Sequence, residues 1–195
     1  MKRLTFWLYV LLSVTIILAG FIEVLQHQWA SLGMSLLALV FMTLPFLIEK
    51  RRNIQFPRIF LSVFLLFLYA SIFLGTANHF YYRFWWWDKM LHSLSGLIFA
   101  DLGYLIAIYF QRRKKKKADF NRWVSALFAF CFAVASGAVW EIYEYTMDKT
   151  FGSRYQGFGI DDTMADIICD TLGALIFGLF LLYQKRRKVN PFSRN

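Results

Sequence analysis

Leu4-Thr5-Phe6-Trp7-Leu8-Tyr9-Val10-Leu11-Leu12-Ser13-Val14-Thr15-Ile16-Ile17-Leu18-Ala19-Gly20-Phe21-Ile22 contains no charged residue and no alternation of polar with apolar positions. A membrane-crossing β-strand alternates and lasts about 9–11 residues, whereas a helix needs roughly 20 apolar residues to cross ~30 Å of hydrocarbon. The stretch fits the helix. Five more of the same kind follow, at residues 29–48, 59–77, 90–110, 123–145 and 163–183, each set off by charged clusters. The expectation is an all-α polytopic membrane protein with six transmembrane helices.

Bulk composition agrees. Of 195 residues, 58% are hydrophobic and 17% charged, against about 45–50% apolar and about 25% charged in soluble domains. Basic residues fix the expected orientation. Lys2 and Arg3, Lys50 to Arg52 with Arg58, Arg112 to Lys117 with Arg122, and Lys185 to Lys188 with Arg194 hold 18 of the 22 Lys and Arg on one side. Arg83, Lys89, Lys149 and Arg154 hold the rest on the other. Such a bias in short loops places the basic side, and with it both termini, in the cytoplasm. It also explains the net charge of +10 without nucleic acid, leaving membrane lipids as the expected surroundings and protein partners unspecified.

The Lys2-Arg3 start lacks a following small-residue cleavage signal and reads as an uncleaved anchor. Cys131 and Cys169 fall inside spans, lack ligand spacing and read as small buried hydrophobes. The chain is expected to be one integral membrane domain, 1–195. Residues 1–79 form a three-helix scaffold half, 80–183 a half carrying the acids, and 184–195 a basic cytoplasmic tail. In the first half, Glu23, His27 and His79 are expected at water-accessible helix ends, and Pro45 is expected to kink the second span. Between the halves, the aromatic run Phe80 to Trp87 suits a headgroup-level belt on the outer side.

The acids concentrate in the last three spans: Asp88-Lys89-x-x-His92 and Asp101, then Glu141-x-x-Glu144 and Asp148, then Asp161-Asp162-Thr163 with Asp166 and Asp170. Each intramembrane charge costs at least ~2.5–3.5 kcal/mol on insertion scales, so such residues face protein or water. At 1.5 Å rise per residue, His92, Glu141, Glu144 and Asp166 fall within roughly two turns of the outer boundary, with Asp170 about a turn deeper. The i,i+3 and i,i+4 spacings put each pair on one helix face. His92, Glu141, Glu144 and Asp166 are therefore the candidate catalytic residues, and with Asp170 the candidate metal ligands. Asp101, about half a revolution from His92, is expected elsewhere. Crowded carboxylates require protons or a cation; oxygen ligands with one imidazole suit Mg²⁺, Mn²⁺ or Zn²⁺. Ala133-x₃-Gly137-x₃-Glu141, Gly96-x₃-Ala100 and Gly173-Ala174 supply small residues for close helix approach.

The set Asp88, Lys89, His92, Glu141, Glu144, Asp162, Thr163, Asp166, Gly173 and Ala174 resembles the motif of the YjdF-type bacterial inner-membrane proteins, a family without an established biochemical activity. A more distant similarity is to VanZ-like proteins, linked to reduced susceptibility to teicoplanin; there Gln is usual at the position of Glu144 and Asn at that of Asp170. The resemblance covers roughly residues 86–178 and implies a bacterial plasma-membrane location. Three functions stay open: binding or acting on a lipid or lipid-linked envelope substrate, with a divalent cation as a candidate cofactor; proton- or cation-coupled transport; and a non-catalytic envelope role with structural acids. No motif of known mechanism marks the chain as an enzyme.

Overall fold

The computed structural model describes residues 2–113, 122–152, 155–157 and 159–183. Every regular element among them is helical. Six segments are long and apolar enough to cross a bilayer: Arg3–Leu25, Trp29–Arg52, Arg58–Ala77, Trp87–Phe110, Arg122–Phe151 and Ile160–Tyr183. Residues 114–121 and 184–195, which carry most of two basic clusters and the tail read from the sequence, lie outside the described residues. The chain divides into two compact units, Met1–Trp87 and Asp88–Val189.

The first unit contains α1 (Lys2–Leu25), α2 (Trp29–Arg52), α3 (Arg58–Leu68) and a short α4 (Phe80–Arg83). Left-handed backbone at His27 and Asn53 closes α1 and α2, and Lys50, Arg51 and Arg52 sit in the last turn of α2, where cations suit the helix dipole. Glu49 clamps the following turn, accepting from the Phe56 N–H at 2.7 Å and pairing with Arg58 at 3.1 Å. The helix runs through Pro45. The third span is not uniformly α-helical: Tyr69–Ala77 is a π-helix, ended by Asn78, whose side-chain amide donates to the Phe73 carbonyl.

Buried Leu12, Ile16, Ala38, Met42, Leu61 and Leu65 form the core of this unit. Large apolar side chains such as Trp7, Leu18 and Phe21 are exposed, as lipid-facing residues are. One expectation fails here. Glu23 is buried, not water-accessible, because the Ser35 hydroxyl of α2 donates to it at 3.0 Å.

The second unit is built from α5 (Trp87–Arg113), α6 (Arg122–Phe151) and α7 (Ile160–Tyr183). Its buried core is made of small residues, Ala100, Ala129, Ala133 and Ala174, closed by Phe177 and Leu181. Helices α5 and α7 meet through reciprocal glycines. A Cβ at Gly96 would collide with the Asp170 carbonyl oxygen and stand 3.0 Å from the Ala174 nitrogen; one at Gly173 would collide with the Ser93 carbonyl oxygen. Removing both side chains lets the backbones touch, the usual route to helix association where lipid offers no hydrophobic driving force. Between α6 and α7, Asp148 accepts from the Tyr155 and Gln156 amides at 2.7 and 3.0 Å, fixing the turn that starts α7. Cys131, read from the sequence as buried, is exposed on α6.

Candidate functional site

The glycine contact between α5 and α7 sets the depth of the polar cluster. It holds the Asp170 turn against the His92 turn, and Gly137 of α6 leaves room for the Asp170 carboxylate, which a Cβ there would strike. Asp170 is 2% exposed. Its Oδ2 lies 3.0 Å from His92 Nδ1, and its Oδ1 faces the Ser95 hydroxyl. Ser95 Oγ also lies 2.8 Å from the His92 carbonyl oxygen, so its single proton is shared between that carbonyl and Asp170.

The other ring nitrogen looks into a ring of acids. His92 Nε2 stands 3.7 Å from Asp88 Oδ1, 3.8 Å from Glu141 Oε1 and 3.9 Å from Asp166 Oδ1. None is within hydrogen-bonding reach. Asp88, His92 and Asp166 each offer a ligand atom lying within 4.8 Å of the others. Glu141 is 4% exposed, and neither of its oxygens has a regular hydrogen bond among the described residues. The Thr163 hydroxyl faces Glu141; it accepts from the Gln156 amide at 2.9 Å and keeps its own proton for the carboxylate.

Lys89 covers the opposite edge. Its ammonium lies 2.5 Å from Asp162, 2.7 Å from Asp166 and 3.3 Å from Asp88. One cation thus joins the first turns of α5 and α7. Asp166 Oδ1 takes this ion pair on one side, which leaves its other lone pair facing the ring.

Of the residues singled out from sequence, the structure brings His92, Glu141, Asp166 and Asp170 together. Glu144 stands at the margin, half-buried, its Oε1 accepting from the Trp140 indole at 2.9 Å. Asp101 lies nine residues along α5 from His92, roughly 13 Å of helix rise. Two participants stood outside the candidate ligand set: Asp88, read from the sequence only as a motif residue, and Ser95, not singled out there. Asp88 reaches Nε2 because it sits four residues before His92. Ser95, three residues after His92, supports Asp170; a helical-wheel reading about His92 would have found both.

The chain matches, over residues 4–187, the family described as "Predicted membrane protein (DUF2238)". It belongs to that family. This agrees with the YjdF-type resemblance read from the motifs. A protein of Thermotoga maritima described as "Uncharacterized protein" is similar to it, 35% identical over 127 residues, and the match spans 62% of each chain. No solved structure matches the chain. The DUF2238 family thus supplies membership and a membrane setting; what the site does rests on its geometry.

Proposed function

We propose that this DUF2238 protein binds, and acts on, the polar end of a lipid or lipid-linked envelope substrate at the outer leaflet of a bacterial plasma membrane. The observation that carries the proposal is where the polarity stops. The cluster occupies one end of α5, α6 and α7, and beyond it the buried interior is mainly apolar, Ala100, Ala129, Ala133, Ala174, Phe177 and Leu181, with buried Ser125 and half-buried Asp101 as polar exceptions. A conduction path needs polar or wet lining across the bilayer; a headgroup site needs it at one face. The partition of basic residues supports the outer face, and the bacterial relative supports a bacterial envelope. The surplus of carboxylates over Lys89 and His92 favours a headgroup that brings positive charge or arrives through a bound cation.

The test is photo-crosslinking of the full chain in liposomes containing a phospholipid with a headgroup diazirine. Adducts are expected on peptides holding residues 88–95 and 162–170, and Glu141→Gln should deplete them. Even labelling along lipid-facing residues such as Trp7 and Leu18, unchanged by that substitution, would overturn the reading. A proton or cation flux in proteoliposomes that requires Glu141 would replace it with the transporter.

A further inference from the structure

We infer that His92 Nε2, Asp88, Asp166 and Glu141 form a binding site for one transition-type divalent cation such as Zn²⁺ or Mn²⁺. This deepens the proposed headgroup site by naming its cofactor, although metal binding is measurable whether or not a lipid binds.

Three independent features converge. The first is the orientation of the imidazole. A carboxylate at Nδ1 draws the ring proton to that nitrogen and leaves the Nε2 lone pair facing the acids; metal-ligating histidines are regularly held this way. Here the carboxylate is Asp170, buried and supported by Ser95.

The second feature is spacing. An imidazolium held only by ion pairing would approach one acid to about 2.8 Å. Instead Nε2 keeps almost equal distances of 3.7, 3.8 and 3.9 Å from three carboxylates on three helices. Metal–ligand bonds of about 2.0–2.2 Å place neighbouring ligand atoms roughly 3–3.5 Å apart. The Asp88, His92 and Asp166 atoms already lie within 4.8 Å of one another, so side-chain rotations bring them around one ion, with Glu141 swinging in from α6.

The third feature is Glu141, nine-tenths buried, aimed at Nε2 and without a regular hydrogen bond to either oxygen. A buried carboxylate with no donor at regular hydrogen-bond geometry and only the Thr163 hydroxyl facing it is costly; a cation at the centre of the ring satisfies it. The donor set narrows the metals read from the sequence: the imidazole favours Zn²⁺ and its neighbours, the carboxylates admit Mn²⁺, and Mg²⁺ and Ca²⁺ gain least from a nitrogen ligand.

The experiment uses the full chain purified in detergent, stripped with chelator and titrated with Co²⁺ as a spectroscopic probe, then with Zn²⁺ and Mn²⁺ in competition. Saturation is expected at about one ion per chain, with visible ligand-field bands that Zn²⁺ abolishes and Mg²⁺ does not. His92→Gln and Glu141→Gln should each weaken binding more than tenfold, whereas a variant lacking both His27 and His79 should bind normally. Absence of saturable binding by the unaltered chain, which needs no variant to fold, would overturn the inference. So would binding that survives loss of His92 or disappears with His27 and His79. Metal binding without headgroup crosslinks leaves the cation site standing and removes the lipid reading; crosslinks without metal do the reverse.

Discussion

Nδ1 of His92 and Oδ2 of Asp170 lie 3.0 Å apart across 78 residues of chain, in the same turns where Gly96 and Gly173 bring the two backbones into contact. The glycines make the pair possible: with a side chain at either, α5 and α7 separate and the buried aspartate loses its partner.

Asp170→Asn and Asp170→Ala should differ sharply. An amide oxygen can still accept from His92 Nδ1–H, and the amide NH₂ can donate to Ser95, whose own hydroxyl then donates to the His92 carbonyl. Alanine leaves the buried ring nitrogen unpaired, a cost of about 1–3 kcal/mol. The expected result is a near-normal melting temperature for the asparagine variant and a clear drop for alanine, both in detergent. Metal affinity should fall about 10–100-fold in each, as for other outer-shell partners of a ligating histidine. Equal melting of the two variants would show that the hydrogen bonds of Asp170 contribute nothing.

The helical architecture was legible because a stretch such as Leu4 to Ile22 admits one membrane-crossing structure, and because backbone groups in lipid must be satisfied within the segment. What escaped were features decided by neighbours. Glu23 looked like an end residue, yet Ser35 of α2 folds over it. The π-helical stretch Tyr69–Ala77 has no mark in its sequence, since the apolar residues there suit either helix. At the site, i,i+3 and i,i+4 spacing reported faces correctly but not reach. Glu141 and Glu144 are both near His92 in sequence logic, but a 60° difference in azimuth aims Glu141 at the ring and leaves Glu144 to Trp140.

Lys89→Met should destabilise the second unit. The ammonium ties Asp162 of α7 to Asp88 of α5 and contacts Asp166, and hydrogen bonds to charged groups contribute about 1.5–3 kcal/mol. A divalent cation should restore part of the loss by supplying charge to the same acids. At 100 times its dissociation constant a ligand stabilises by about 2.7 kcal/mol, so the Zn²⁺-induced rise in melting temperature should be at least as large in this variant as in the unaltered chain. A smaller rise would mean that Lys89 helps to hold the ion.

Gly173→Leu should destabilise by about 1–3 kcal/mol, the usual cost of overpacking, because its Cβ alone meets the Ser93 carbonyl. Gly178, one turn and a little further along α7, has nothing within 4 Å of a built Cβ. Gly178→Ala should be neutral or stabilise by up to about 1 kcal/mol, the helix-propensity gain. Thermal unfolding followed by circular dichroism compares the two directly; a tolerated leucine at Gly173 would disprove close α5–α7 contact.

The topology prediction bears on every functional reading, because it decides which leaflet the site meets. The bias of 18 basic residues against four puts the N-terminus and the 184–195 tail in the cytoplasm, and therefore the starts of α5 and α7 and the end of α6 outside. Single cysteines at Gly157, in the turn before α7, and at Lys115, beyond the described end of α5, sample opposite faces. In a background lacking Cys131 and Cys169, a membrane-impermeant maleimide added to intact cells should modify the first and spare the second until the membrane is opened. The reverse pattern would move the His92 and Glu141 cluster to the cytoplasmic leaflet. It would leave the cation site untouched while excluding an outer-leaflet substrate.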